Sequence, residues 1–309
     1  MTGDPELQPI LQRLNEAKVL ILGEVWYEQR LLGEIARAGA ESLDIRPSQR
    51  VVRPGGVGAV ACAAAGMGAR AVVAGALGRD AQGGEVLRAL SAAHVDAFGV
   101  VSDASHPTGE RLILRMHGER AGMPPELHLE LAPAAPLAGM VAQEMLGHVE
   151  AVIGQMGAVL LVAGPGVPGE IAEKLAQLAR DRDKPILAGI VCATPDGCDE
   201  CPLPACDMAV LWITDGEDEA AGDDLAGGLL AKTPHKAVVV FSPTAGARLY
   251  RADASDAEGV IEAQAVAGID WETFMAGVAC ATALGADPLL AVRAAVAAAL
   301  PPPDDAVAG

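Results

Sequence analysis

Two stretches of this chain carry residue types whose spacing could do chemistry. The first, Gly268-Ile-Asp-Trp-Glu-Thr-Phe274, runs from a glycine through two acids into what reads as a helix. Backbone N–H groups at a helix start hold anions, and a carboxylate beside them can take a proton from a hydroxyl. Ile269 and Trp271 put bulk in the same turn, where close approach to an anion calls for glycine. Glu272 reads also as an acid favoured by the helix dipole, and Trp271 as a plug of the anion hole or a filler of core. The second stretch, Cys192-Ala-Thr-Pro-Asp-Gly-Cys198-Asp-Glu-Cys201-Pro-Leu-Pro-Ala-Cys206, holds four cysteines in a loop rich in Pro and Gly. Cys192, Cys198, Cys201 and Cys206 could wrap zinc or an iron–sulfur cluster, although their spacing matches no standard signature. The alternative is a loop of reduced thiols or one incidental disulfide. Cys62 and Cys280 lie in small-residue helices and read as core.

The elements that must position these residues alternate in type. Lys18-Val-Leu-Ile-Leu-Gly23 is a short apolar run, a buried first strand. Residues 43–53 alternate instead, as exposed strands of a small sheet do. Pro54-Gly-Gly-Val-Gly58 opens an Ala-rich helix to Met67, followed by a strand over 68–75, a helix over 80–93 and a strand over 108–115. Further strands are expected at 158–163, 185–191, 209–213, 236–241 and 247–250, with helices at 168–182, from 218, at 273–284 and at 288–300. Such alternation implies a mostly parallel sheet covered on both faces. The chain reads as a single domain over residues 1–309, with residues 301–309 as a flexible, acidic, Pro-rich tail.

Composition narrows the function classes. Apolar residues make up 51%, far too many for disorder, and no uncharged apolar run reaches the ~18 residues of a membrane span. Net charge is −19, from 22 basic and 41 acidic residues, which argues against nucleic acid as a partner. A phosphorylated small ligand needs only a few local donors and stays open. The N-terminus lacks a basic segment before its apolar run, and the six cysteines are unevenly spaced, so a cytoplasmic protein is expected.

Arg53-Pro-Gly-Gly-Val-Gly58 before a small-residue helix, and Gly75-Ala-Leu-Gly78-Arg-Asp80-Ala-Gln-Gly83 after it, sit in a recognisable order. Pro107-Thr-Gly109 and Thr273-Phe274 extend that order. Over residues 18–300 the chain resembles the ribokinase-like (PfkB) carbohydrate kinases, and within them the heptose-7-phosphate kinases. The resemblance implies an α/β ribokinase-like three-layer sandwich with a mostly parallel central sheet. It also implies a small β-lid, supplied by residues 24–53 and 100–120, that often makes a homodimer. A sugar or sugar-phosphate ligand under the lid, with ATP and Mg as cofactors, would follow.

Carried over residue by residue, the resemblance puts substrate contacts at Glu24, Glu28, Gly55 and Gly56. It puts nucleotide or magnesium contacts at Glu219, Gly246 and Gly268, and the catalytic base at Glu272. The departures are numerous. Ala59 replaces a sugar-binding asparagine, and Val162-Ala-Gly-Pro-Gly166 lacks the acid and the lysine of the heptose kinases. Gly216 replaces an asparagine, Pro243 enters the nucleotide loop, and Ile269 and Trp271 interrupt the phosphate turn. The glycines also fit a purely structural role, and Glu24 and Glu28 fit ordinary lid-surface acids. The expectation is a kinase homologue with lost or impaired ATP-dependent phosphoryl transfer that acts by binding, assembly or regulation. The alternatives are an active sugar or sugar-phosphate kinase using Glu272, and a metal- or redox-responsive protein using the loop 192–206.

Overall fold

The computed structural model describes residues 5–38, 43–117, 126–192, 203–213, 219–242, 246–251, 259–261 and 268–299. In chain order the elements are α1 (Leu7–Gln12), β1 (Lys18–Leu22), β2 (Val25–Ala38), β3 (Leu43–Gly56), α2 (Val57–Gly66), β4 (Arg70–Gly78) and α3 (Ala81–Ala92). There follow β5 (Asp96–Asp103), β6 (Gly109–His117), β7 (Glu126–Ala132), α4 (Gly139–Ile153), β8 (Ala158–Val162), α5 (Gly169–Arg180) and β9 (Ile186–Cys192). The last group is β10 (Met208–Ile213), α6 (Glu219–Lys232), β11 (Ala237–Ser242), β12 (Gly246–Arg251), β13 (Gly259–Ile261), α7 (Trp271–Ala283) and α8 (Pro288–Ala299).

One sheet orders its strands β13-β12-β11-β10-β9-β8-β1-β4-β5, parallel from β11 to β5 and antiparallel at the β12 and β13 edge. Its central strands are continuous apolar runs because helices cover both faces. In β1, Val19 and Ile21 join one core with α1, α2, α3, α7 and α8, while Leu20 and Leu22 join the other with α4, α5 and α6. That period of two makes three layers from one run of sequence. No helix among the described residues is long and apolar enough to cross a membrane.

The second sheet, β3-β2-β6-β7, grows out of the first at two points. Only two residues, Gly23 and Glu24, separate β2 from the end of β1, and β3 leads straight into α2. Residues 100–103, expected in the lid, instead finish β5 at the edge of the large sheet, and β7 joins the small one. Helix α4 has no counterpart in the sequence reading. It starts at Gly139, φ +55°, after Ala138, which offers no side-chain cap, so the usual start signal is missing.

Candidate functional site

In open α/β sheets, ligands settle beyond the C-terminal ends of the parallel strands. Here the N-terminus of α7 packs over those ends, with Gly268 at φ +83° turning the chain into it and Ile269 buried. Asp270 is the N-cap. Its carboxylate accepts a hydrogen bond from the Thr273 N–H at 2.7 Å, so one amide of the helix start is satisfied from within. Trp271 turns down onto the strand ends. Its ring is 5.6 Å from Trp212 and edge-on to it, and a Cβ on Gly189 would meet it at 2.8 Å. Trp212 in turn stacks on Phe241 at 4.1 Å, and Phe241 lies 4.4 Å from Phe274. Trp271 thus completes an aromatic cluster above β9, β10 and β11.

Glu272, in the first turn of α7, accepts a hydrogen bond from Arg53 Nη2 at 2.9 Å. Arg53 also donates through Nε to Glu28 Oε1 at 2.5 Å, and Arg30 Nε donates to the same oxygen at 2.8 Å. Glu28 is only 4% exposed. Burial alone would raise its pKa, but the hydrogen bonds and charges of Arg30 and Arg53 outweigh burial and hold it below the usual carboxylate value. For Arg53, burial works against the charge, and Glu28 and Glu272 more than restore it. The register explains the contact, because Glu28 and Arg53 are direct partners across the antiparallel β2/β3 pair. Arg53 therefore ties the root of the lid to the head of α7.

Beside this bridge lies a cavity of about 290 Å³ whose lining includes Arg53, Ala59, Cys62, Asp270, Glu272 and Thr273. Cys62, read from sequence as core, is half-buried on its wall; burial raises its pKa, and Arg53 offsets part of that.

Glu24 does not line that cavity. Its carboxylate faces Gly164 and Gly166, where an added Cβ would overlap it, and it accepts a backbone hydrogen bond from Gly166. Burial raises its pKa, with Arg111 and Gly166 working the other way. Gly55 and Gly56 lie under the indole of Trp26, which an added Cβ on either would strike, and Gly56 also holds φ +59°. The Trp26 ring carries the Arg111 guanidinium 3.9 Å from its centroid, and its Nε1 has no hydrogen-bond partner among the described residues.

The Gly75–Gly83 motif makes a knot between elements. Asp80 caps α3 through the Gly83 N–H at 2.7 Å, and accepts from the Thr108 N–H at 3.0 Å and hydroxyl at 2.8 Å. The Thr108 Oγ1 accepts in turn from the Gly78 N–H at 2.8 Å. Gly78 and Gly83 have no room for a Cβ beside these groups.

Glu219 opens α6, and its side chain lies outside the described residues, as do Gly216 and Pro243. Gly246 starts β12 at φ +90°. The sheet separates the outer cysteines. The N–H of Asp207 donates to the Ile186 carbonyl at 2.9 Å, so Cys206 sits level with the start of β9, while Cys192 is its last residue. Six strand residues between the two levels span roughly 20 Å, and a zinc–sulfur bond is about 2.3 Å, so Cys192 and Cys206 do not share one metal. Cys198 and Cys201 lie outside the described residues, among which no group of three or more potential ligands gathers. Cys206 is a free thiol 3.1 Å from His235 Nδ1. Burial, with Asp207 adding to it, pushes the thiol up to about 12, and burial lowers the imidazole, so the pair is a neutral S–H···N hydrogen bond.

Sequence reasoning missed Arg53 as a site residue, together with Trp26, Arg111 and His235. The opposite charges of Glu28 and Arg53 on neighbouring strands were the available signal; no local pattern marks the others.

Comparison with known proteins fits this geometry. Residues 16–300 match the pfkB family carbohydrate kinases. A D-beta-D-heptose 7-phosphate kinase of Bordetella bronchiseptica is 29% identical over 140 residues, covering 44% of this chain and 44% of that protein. The chain thus matches less than half the length of this relative. A ribokinase-type structure from Agrobacterium tumefaciens has a TM-score of 0.67 at 22% identity, covering 92% of this chain and 90% of its own. Arabidopsis thaliana ribokinase, complexed with ribose and ATP, has a TM-score of 0.63 at 18% identity, covering 92% of both chains.

Proposed function

This chain belongs to the pfkB family of carbohydrate kinases, and from that premise we propose that it is a sugar-binding homologue whose ATP-dependent phosphoryl transfer is lost or impaired. The observation that carries this reading is the Asp270 cap on the Thr273 N–H. An N-terminus that should offer amides to a transferred phosphate already holds its own carboxylate, with Glu272 in the same turn. Those residues fit a phosphate poorly. Glu272, at the position of the base, is engaged by Arg53 rather than left free for a sugar hydroxyl. The cavity between the lid's root and α7 is the candidate place for a sugar, and Glu24, directed at Gly164 and Gly166, lies outside its wall.

The lid supports assembly as part of this reading. Leu129 and Leu131 of β7 are 43% and 53% exposed, apolar residues suited to contact with a second copy of the chain. A cytoplasmic location, which rests on the cysteine pattern, belongs to the same proposal. The competing reading is an active kinase with Glu272 as base, favoured by the presence of Glu272 on the cavity wall.

Thermal unfolding with and without Mg-ATP separates the two. The proposal expects no shift in Tm, and a magnesium-dependent rise of several degrees overturns it.

A further inference from the structure

The charges around the cavity bear on what it binds. Its described lining carries one cation, Arg53, and two carboxylates, Asp270 and Glu272, an excess of one negative charge. The guanidinium of Arg53 is divided between Glu28 and Glu272, so an incoming phosphate must displace one of them while facing Asp270. An ammonium group meets the opposite situation, with Asp270 and Glu272 both on the wall. About 290 Å³ lies at the small end of ligand cavities and suits a monosaccharide-sized molecule.

We infer that Glu272 is a specificity-determining residue: it occupies Arg53 and so makes the cavity select an amine-bearing, monosaccharide-sized polyol over a phosphorylated one. This rests on the sugar-binding reading above and seats the sugar in this cavity. A like-charge contact at this partly exposed wall costs enough to separate the two classes by roughly tenfold.

The test is calorimetric titration of the full chain, without nucleotide, with hexosamines, the matching hexoses and the matching hexose 6-phosphates. Protection of Cys62 against alkylation ties any binding to this cavity. The expected order is hexosamine, then hexose, then hexose phosphate, about tenfold across the series. In Glu272→Gln, Arg53 keeps only Glu28 as a carboxylate partner, and the preference for the amine over the phosphate shrinks toward parity. Hexose phosphate binding to the wild type as tightly as hexosamine overturns the inference, as does binding that leaves Cys62 unprotected, or no binding by any of the three. Phosphate transfer onto a hexosamine would sink the lost-transfer reading and leave this one standing. Tight hexose phosphate binding without turnover would do the reverse.

Discussion

Arg53 joins Glu28 on the lid to Glu272 at the head of α7, and the pair with Glu28 is the more buried of the two. Removing the guanidinium leaves Glu28 with Arg30 as its remaining charged partner. Arg53→Ala is therefore expected to cost about 2–3 kcal/mol in chemical denaturation, below the range for a fully buried pair because Arg30 stays in place. A loss under about 0.5 kcal/mol would show that solvent screens the bridge. The pH dependence has a definite sign. Glu28 is held below its usual value in the folded protein, so it contributes stability above the ordinary carboxylate pKa and loses it as pH falls through its folded value. The acid limb of the wild-type stability curve should flatten in Arg53→Ala. Glu28 was legible in the sequence as an acid near a lid, but Arg53, its partner across the strand pair, was hidden inside the quoted Pro-Gly-Gly motif.

At the scale of elements, the segments that carry the family resemblance build the scaffold. Asp80 ties the start of α3 to Thr108 at the entry to β6, so Asp80→Ala loses a cap and two further hydrogen bonds. The expected cost is about 2–3 kcal/mol, and a change within about 0.5 kcal/mol would contradict the knot. Gly55→Ala drives a methyl into Trp26 and should cost a similar 2–3 kcal/mol by overpacking. Both are read by urea unfolding. Central strands such as β1 and β8 were legible because burial on both faces makes them unbroken apolar runs. Strand β7 was not, since its residues are half-buried or exposed, and α4 lacks a capping side chain. The four-cysteine set looked like one centre because spacing along a chain says nothing about which end of a sheet a loop leaves. The register places Cys192 and Cys206 at opposite ends.

For the whole molecule, two cores on either side of one sheet hold the family architecture. Packing constrains Gly55, Gly78 and Gly83 whether or not a ligand binds. The head of α7 is packed as well, since Ile269 is buried, Asp270 caps the helix and Trp271 joins the aromatic cluster. If the exposed leucines of β7 seat a second copy, Leu131→Asp should shift a dimer to monomer in sedimentation, and a monomeric wild type would contradict assembly through the lid. The central claim, that the anion site at α7 is filled from within, is tested most directly by titrating Mg-ATP into the full chain with a panel of sugars and sugar phosphates while following phosphate transfer. The account predicts neither nucleotide binding nor turnover by the folded protein. Binding with turnover that vanishes in Glu272→Gln would contradict it and make Glu272 the base of a working kinase.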